Sequence, residues 1–491
     1  MTVKTLKEKT ISGIIWVSIQ KFGTLGISFI ANIVLARILT PHDYGMVGML
    51  AIFIGLSTTL IDGGFGSALI QKSNPNQTDY STVFYFNLLL SICLYLILFL
   101  CAPWIEMFYR DIAGLSTILR VQGLILIINA LTIVQFNQLR KSMNFKLLSR
   151  INIFSALFSV IIAITMAKLG FGVWSLVFQQ IALSVANVSL LWFMCKWKPT
   201  CWISLKSLKE LVGFGSYIMF SNILNSIGNN LNSLLIGKFF SASRLGYFSQ
   251  AKKLEDLSSI GILSVIEQVS YPMLVEVKAD YNRMSLVLKK FNNLTLAIVL
   301  PLMLCIIILA HPIIVILFSD KWIESVHILQ ILAIHGIFLC MQGSNYNVIA
   351  AIGKSKILFK WTVIKRIVNI IILLTTMIIW GFDGLLWGIV VTGIVIAISN
   401  MYLVQKYIYF SVWDQLKYMG PITIIALCPF IICQVVLSIL DVSAEFTNIR
   451  DFIASLIFIS LYLIIVWTVP IHSLQEMKLE FSNVLNKLKK G

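Results

Sequence analysis

The chain is 491 residues long, 58% hydrophobic and 12% charged, with a formal net charge of +17. So little charge cannot cover a water-soluble domain of this length, which excludes a soluble enzyme and points to helices facing lipid and one another. The positive excess does not mark a nucleic-acid binder either, because it is parcelled into short stretches between apolar runs and forms no single basic face.

In chain order, apolar runs of about 18–25 residues, each able to span ~30 Å of hydrocarbon, start near residues 12, 44, 81, 115, 150, 173 and 212. Further runs start near residues 246, 291, 324, 358, 384, 418 and 451, so an all-α membrane protein of about fourteen transmembrane helices is expected. The run starting near 246 is the poorest, since it carries Lys252, Lys253, Glu255, Asp256 and Glu267. The first run holds Gln20 and Lys21 and lacks a small-residue cleavage site, so it reads as a spanning helix and not as a signal peptide. With loops alternating sides, most of the 38 Lys and Arg fall on the side of Met1, as in Arg140/Lys141/Lys146/Arg150 and Lys354/Lys356/Lys360. That bias places both termini in the cytoplasm and the basic loops against anionic lipid headgroups. The 8 cysteines show no CxxC and no metal-like spacing, so they read as small apolar residues, with no metal site and no cofactor expected.

Ala36–Gly45, joining the first two runs, has a degenerate copy at Gly237–Gly246, with basic, hydroxyl and glycine positions matching at one spacing of 201 residues. A second echo, Gly170–Trp174 against Gly381–Trp387, falls between later runs of each half. The chain therefore divides into 1–205 and 206–410, six helices each, with 411–491 adding two helices and a cytoplasmic tail. Six is even, so the halves run in the same direction, a parallel repeat with the transport path between its lobes. Arg37, Gly45, Lys238 and Gly246 mark the junctions, expected at the outer side, where Pro41, Gly45 and Gly246 would shape turns.

Polar faces single out particular helices. Asn222, Asn225, Asn229 and Asn232 stack on one face of the seventh run, widened by Ser226, Asn230 and Ser233. The same spacing carries that stripe onto the first run, where Lys21, Thr24, Ser28 and Asn32 form a second polar face. Both faces suit a cavity lining, although amides also bond neighbouring membrane helices. A charge at mid-bilayer costs ~2.5–3.5 kcal/mol on insertion scales, so Lys21 and Lys253 require water, a partner or a function. Lys252 and Asp256 are spaced to pair along their own helix. Arg37, Lys238 and Arg120 lie near the outer boundary, where snorkelling competes with substrate contact. Asp62 and Glu267, near inner helix ends, and His335, on one face with Gln342 and Asn345, are candidates for coupling to a proton or sodium ion. Helix-end capping is the plainer reading of the acids, and a hydrogen-bonded core residue that of the histidine. A basic interior suits an anionic cargo such as a diphosphate, with amides for sugar hydroxyls. No catalytic signature is present: no paired loop carboxylates, HExxH, GxSxG or Walker-type loop, so no enzymatic activity is expected.

The stretches TISGIIWVSIQKFGTLGISFIANIVLARILTPHDYGMVGML, DGGFGSALIQK and LLIGKFFSASRLGYFSQAKKLEDL resemble bacterial polysaccharide flippases. These form the oligosaccharidyl-lipid branch of the superfamily that also holds multidrug and toxin extruders. The resemblance spans nearly the whole chain and is strongest over residues 10–80 and 208–258. It implies a two-lobed transporter of the bacterial inner membrane, working by alternating access. It also implies a substrate, undecaprenyl-diphosphate-linked glycan, carried from the cytoplasmic to the periplasmic leaflet for assembly of O-antigen, capsule or exopolysaccharide, alongside polymerase and assembly machinery. The diphosphate and sugar would sit in a basic cavity while the lipid tail stays in the bilayer, and the last two helices would form a lipid-side groove. A drug or cation antiporter of the same superfamily is the alternative, and it should expose acidic residues in its cavity. A membrane glycan polymerase or glycosyltransferase should carry a substantial external loop, which this chain lacks.

Overall fold

The computed structural model describes residues 6–72, 75–110, 112–200, 204–439 and 447–468, and within them all regular structure is helical. The expected cytoplasmic tail lies outside the described residues. The chain forms two compact units, Met1–Ser249 and Gln250–Gly491.

The first unit contains α1 (Leu6–Ile38), α2 (Pro41–Asp62), α3 (Phe65–Gln71), α4 (Gln77–Phe108), α5 (Leu115–Ala130), α6 (Ile133–Lys141), α7 (Phe145–Lys168), α8 (Trp174–Met194) and α9 (Leu205–Phe239). Helix α10 (Ala242–Glu276) begins in this unit and continues into the second. Local chemistry sets the ends. Thr40 and Asp43 form a capping box on α2, the Thr40 N–H donating to the Asp43 carboxylate at 2.9 Å, with Pro41 in the first turn. Asn76 and Asp79 repeat the device on α4, and Gly63, at φ 50°, stops α2 in the left-handed conformation that glycine adopts without strain. Helix α1 packs on α7, α4 on α5, α7 on α8, and α2 on α9. The buried Tyr109 hydroxyl donates to the Met49 carbonyl at 2.9 Å, tying the end of α4 to α2. One expected span, that starting near residue 115, is broken: α5 and α6 meet at 42°.

The second unit continues through α11 (Tyr281–Phe318), a short 3-10 turn (Asp320–Trp322), α12 (Ser325–Ala351), α13 (Ser355–Ile408), α14 (Val412–Ile439) and α15 (Thr447–Thr468). Leu296, Leu300 and Leu304 of α11 form a core with Met401, Ile422, Ala426 and Phe458, so α14 and α15 share the packed interior of this unit. The 54 residues of α13 are two arms, because Gly381 leaves the helical region at φ 65°, ψ −135°. A Cβ on Gly388 would lie 2.2 Å from Thr376 Oγ1, so the arms fold back tightly on each other, as the runs predicted near 358 and 384 require.

The protein is thus a multi-pass membrane protein. Eleven helices among the described residues are long and apolar enough to cross a bilayer, or twelve if the bent α5–α6 pair is one span. Fourteen is not confirmed as a number. Residues 356–408 count once despite the break at Gly381, and the asparagine-rich α9 is not among the eleven. Away from these cores, Leu100, Trp104, Ile161 and Ile378 are exposed as large apolar side chains, as lipid-facing surface demands.

Candidate functional site

Three groups of residues concentrate polarity or close approach in this lipid-adapted chain. The first is the repeat junction. Gly45 of α2 lies so close to α10 that a Cβ there would be 1.7 Å from the Ala242 carbonyl oxygen. Gly246 of α10 lies so close to α2 that its Cβ would be 1.9 Å from the Pro41 oxygen. Pro41 and Ala242, like Gly45 and Gly246, are one repeat spacing apart, so the contact is reciprocal. The capping is reciprocal too: the Thr40 hydroxyl accepts from the Asp43 N–H at 3.3 Å and the Ser241 hydroxyl from the Arg244 N–H at 3.2 Å. Pro41 starts α2 as a turn-shaping residue should, but the two glycines sit inside helices with no left-handed backbone. Their role is bareness at a helix crossing. Arg37 is exposed, and Lys238 donates to the Phe108 carbonyl with its ammonium 4.0 Å from that ring's centroid, fastening α9 to the end of α4.

The second group is the pair of polar faces. Asn222, Asn225 and Asn229 are exposed on α9, and Asn232 is half-buried. The flanking set turns elsewhere: a Cβ on Gly55 of α2 would lie 3.5 Å from Ser226 Oγ and 3.6 Å from Asn230 Nδ2. Asn230 also donates to the Ser226 carbonyl at 2.8 Å. The broad stripe thus splits into a half in contact with α2 and an exposed half. On α1, Lys21 is exposed and Asn32 half-buried, while Thr24 donates to the Gln20 carbonyl of its own helix at 2.7 Å.

The third group is a buried charge cluster in the second unit. Glu255 of α10 is fully buried; its Oε1 accepts from the Ser259 hydroxyl at 3.1 Å, and Lys252 forms an ion pair with it. Lys252 also bonds Asp256 at 2.6 Å, as their spacing predicted. His335 of α12 brings Nδ1 to 3.7 Å from Glu255 Oε1, and its ring abuts Gly393 of α13. Two glycines of α12 make the room. A Cβ on Gly336 would stand 3.1 Å from Glu255 Oε1, and one on Gly343 would stand 2.0 Å from Glu267 Oε1. Nearby, Gln342 donates to the Gly393 carbonyl at 3.3 Å, and Asn400 bridges the Gln342 carbonyl and Lys365. Lys253 is exposed on the opposite side of α10 from the buried Glu255.

The acids are not helix caps. Residues 63 and 64 are the caps between α2 and α3, while Asp62 lies beside Asn137, both within 3.2 Å of the position a Gly66 Cβ would take. Helix α10 runs on to Glu276, so Glu267 lies within it. Glu255 was not singled out by its sequence position, since Lys252, Lys253 and Asp256 surround it in one run of charges. A glycine on another helix opens its pocket, which no spacing along α10 reports.

Relatives share this length of chain. The protein is 26% identical over 365 residues to the teichuronic acid biosynthesis protein TuaB of Bacillus subtilis (strain 168), covering 73% of this chain and 74% of that one. It is 22% identical over 418 residues to the lipopolysaccharide biosynthesis protein WzxC of Escherichia coli (strain K12), covering 84% of each. Among solved structures, the lipid II flippase MurJ in its inward closed conformation superposes with a TM-score of 0.74 at 16% identity, over 92% of this chain and 97% of that one. An inward-facing multidrug resistance MATE family transporter of the MOP superfamily gives 0.63 at 17% identity, over 81% and 98%. The fold is therefore that of these membrane transporters. Because the family profile matches residues 34–327, more than half of the chain, the protein belongs to the polysaccharide biosynthesis protein family.

Proposed function

We propose that the protein is a flippase. It carries oligosaccharide linked to undecaprenyl diphosphate from the cytoplasmic to the periplasmic leaflet by alternating access, for assembly of a surface polysaccharide. The observation that carries this reading is the reciprocal glycine crossing, set within a family of polysaccharide biosynthesis proteins. A repeat that brings its own two junctions into backbone contact supplies a seal that can part and re-form. Similarity to the succinoglycan biosynthesis transport protein ExoT of Rhizobium meliloti (strain 1021), 26% identical over 365 residues and 74% of each chain, supports this reading.

In this reading the repeat halves, 1–205 and 206–410, are the alternating bodies, and the junction is the outer gate. The open amides Asn222, Asn225 and Asn229 bond sugar hydroxyls, with Asn232 and Asn32 beside them, and Lys21 and Lys253 attract the diphosphate. The Glu255–His335 pair is the coupling site for a proton or sodium ion, with Glu267 and Asp62 as further candidates, because a buried carboxylate 3.7 Å from an imidazole is the kind of intramembrane ionisable site that ion and proton pathways use. No bond of the cargo is broken, so the protein is not an enzyme. Both termini face the cytoplasm of the inner membrane, and a polymerase receives the cargo on the far side.

Lipid extracts from cells lacking the gene test this. Accumulation of undecaprenyl-diphosphate-linked oligosaccharide, cleared by the wild type and not by Lys21→Ala/Lys253→Ala, is the expected result. Normal lipid-linked intermediates with new sensitivity to cationic dyes would indicate a drug antiporter instead.

A further inference from the structure

In the second unit, the turn from α10 into α11 and the turn from α13 into α14 border an open cavity of about 1130 Å³. Sites for small organic ligands are commonly ~300–1,000 Å³, so this one has room for several sugar rings. Its acids are already engaged. Asp280 accepts the N–H groups of Asn282 and Arg283 at 3.0 and 3.1 Å, capping α11. Asp414 accepts from the Ser411 hydroxyl at 2.5 Å, at the start of α14. The cations are placed differently. The Lys289 ammonium stands 4.9 Å from the centre of the Phe410 ring and 4.5 Å from that of Tyr418, lodged on aromatic faces, and Lys417 is exposed on the same rim. Tyr281 and Tyr409 add exposed rings, Tyr409 being 85% exposed at φ 57°, a left-handed position that glycine usually takes. Asn282 and Ser285 supply neutral donors and acceptors.

We propose that this cavity receives the saccharide-phosphate end of the lipid-linked substrate before it is moved, a docking site separate from the polar faces of α1 and α9. The inference rests on the flippase reading. Lys289 and Lys417 take the phosphate charge, ring faces cover the C–H faces of the sugars, and the amide and hydroxyl bond the sugar oxygens. In the topology set by the basic loops this end of the unit faces the cytoplasm, the side from which the proposed flippase takes its cargo. Exposed Trp413 and Tyr418 suit the headgroup level, within reach of a lipid-anchored ligand. A phospholipid headgroup offers the same phosphate without the sugar, and the test separates the two.

The full-length protein is made in cells with p-benzoylphenylalanine in place of Tyr409, irradiated, and the attached lipid identified by mass spectrometry. The same probe at Phe193, 90% exposed on α8, serves as comparison, and a probe at Tyr281 covers any misfolding at Tyr409. The expected adduct carries hexose and diphosphate, exceeds that at Phe193 by about tenfold, and falls to the Phe193 level in Lys289→Gln/Lys417→Gln, which removes both charge-assisted contacts. Adducts of phospholipid alone, equal capture at both sites, no adduct at either cavity position, or indifference to the double substitution would each overturn the inference. If the deletion strain accumulates lipid-linked oligosaccharide while the cavity captures only phospholipid, the docking site falls and the flippase reading stands. If the deletion strain accumulates none, the flippase reading falls first.

Discussion

The glycine crossing in the first unit and the Glu255 cluster in the second are both places where another helix makes room, but for opposite purposes. At the crossing, bareness on both sides lets two backbones meet, and nothing charged intervenes. In the cluster, bareness on one side only, at Gly336 and Gly343 of α12, admits the carboxylates of α10. A backbone contact of the first kind is all-or-none, because a carbonyl cannot step aside without moving its helix. A side-chain contact of the second kind is graded, because a carboxylate can swing. One residue type thus serves a backbone crossing in one place and a charge site in the other, and the two should fail differently.

The largest effect is expected at the crossing. Gly45→Ala or Gly246→Ala places a Cβ within 2 Å of a carbonyl oxygen and should abolish clearance of the lipid-linked intermediate. Gly26→Ala, where a Cβ meets nothing within 4 Å, should leave it intact, so equal damage from all three would refute the crossing as a special contact. Next comes Glu255→Ala, which strips a buried ion pair of its acid and should cost about 3 kcal/mol in detergent unfolding. Asp256→Asn, at a half-exposed carboxylate, should cost less than about 1 kcal/mol. Smaller than the Glu255 effect, and diagnostic, is that of Gly343→Ala, which overpacks Glu267 by about 2 kcal/mol. Adding Glu267→Ala should restore most of that, and strict additivity in the double mutant would show that the two groups do not meet. The smallest effect on stability is expected from Asn222→Ala/Asn225→Ala/Asn229→Ala, within about 0.5 kcal/mol, since these amides are exposed. Transport should nonetheless slow severalfold. Asn230→Ala, on the half facing Gly55, should show the reverse pattern, and its thermal midpoint checks it.

Helical class, the positions of most spans and the recurring junction motif were readable without coordinates, because hydropathy over a bilayer's thickness and a recurring hydroxyl–glycine pattern are properties of contiguous residues. Thr40 with Gly45 and Ser241 with Gly246 were legible as a matched pair for that reason. The pairing of Lys252 with Asp256 was likewise a matter of helical pitch. Other features depended on the partner surface. The stripe on α9 is continuous in sequence but divides according to where α2 lies, and Asn230 differs from Asn229 only in which side of the helix it occupies.

By itself, then, the amino-acid sequence determined that this chain is built of membrane helices, and which short segments join them, two of these being copies of one motif. Those outcomes follow from the period of the α-helix and the cost of polar backbone in lipid, both of which act over one turn or one span. Tertiary structure alone decided that two glycines one repeat spacing apart meet each other's helix, and that Glu255 is buried beside His335 while its neighbour Lys253 is exposed. Each of these depends on the bare surface of a glycine on a distant helix, and a missing side chain leaves no periodic mark on the segment that comes to fill its space.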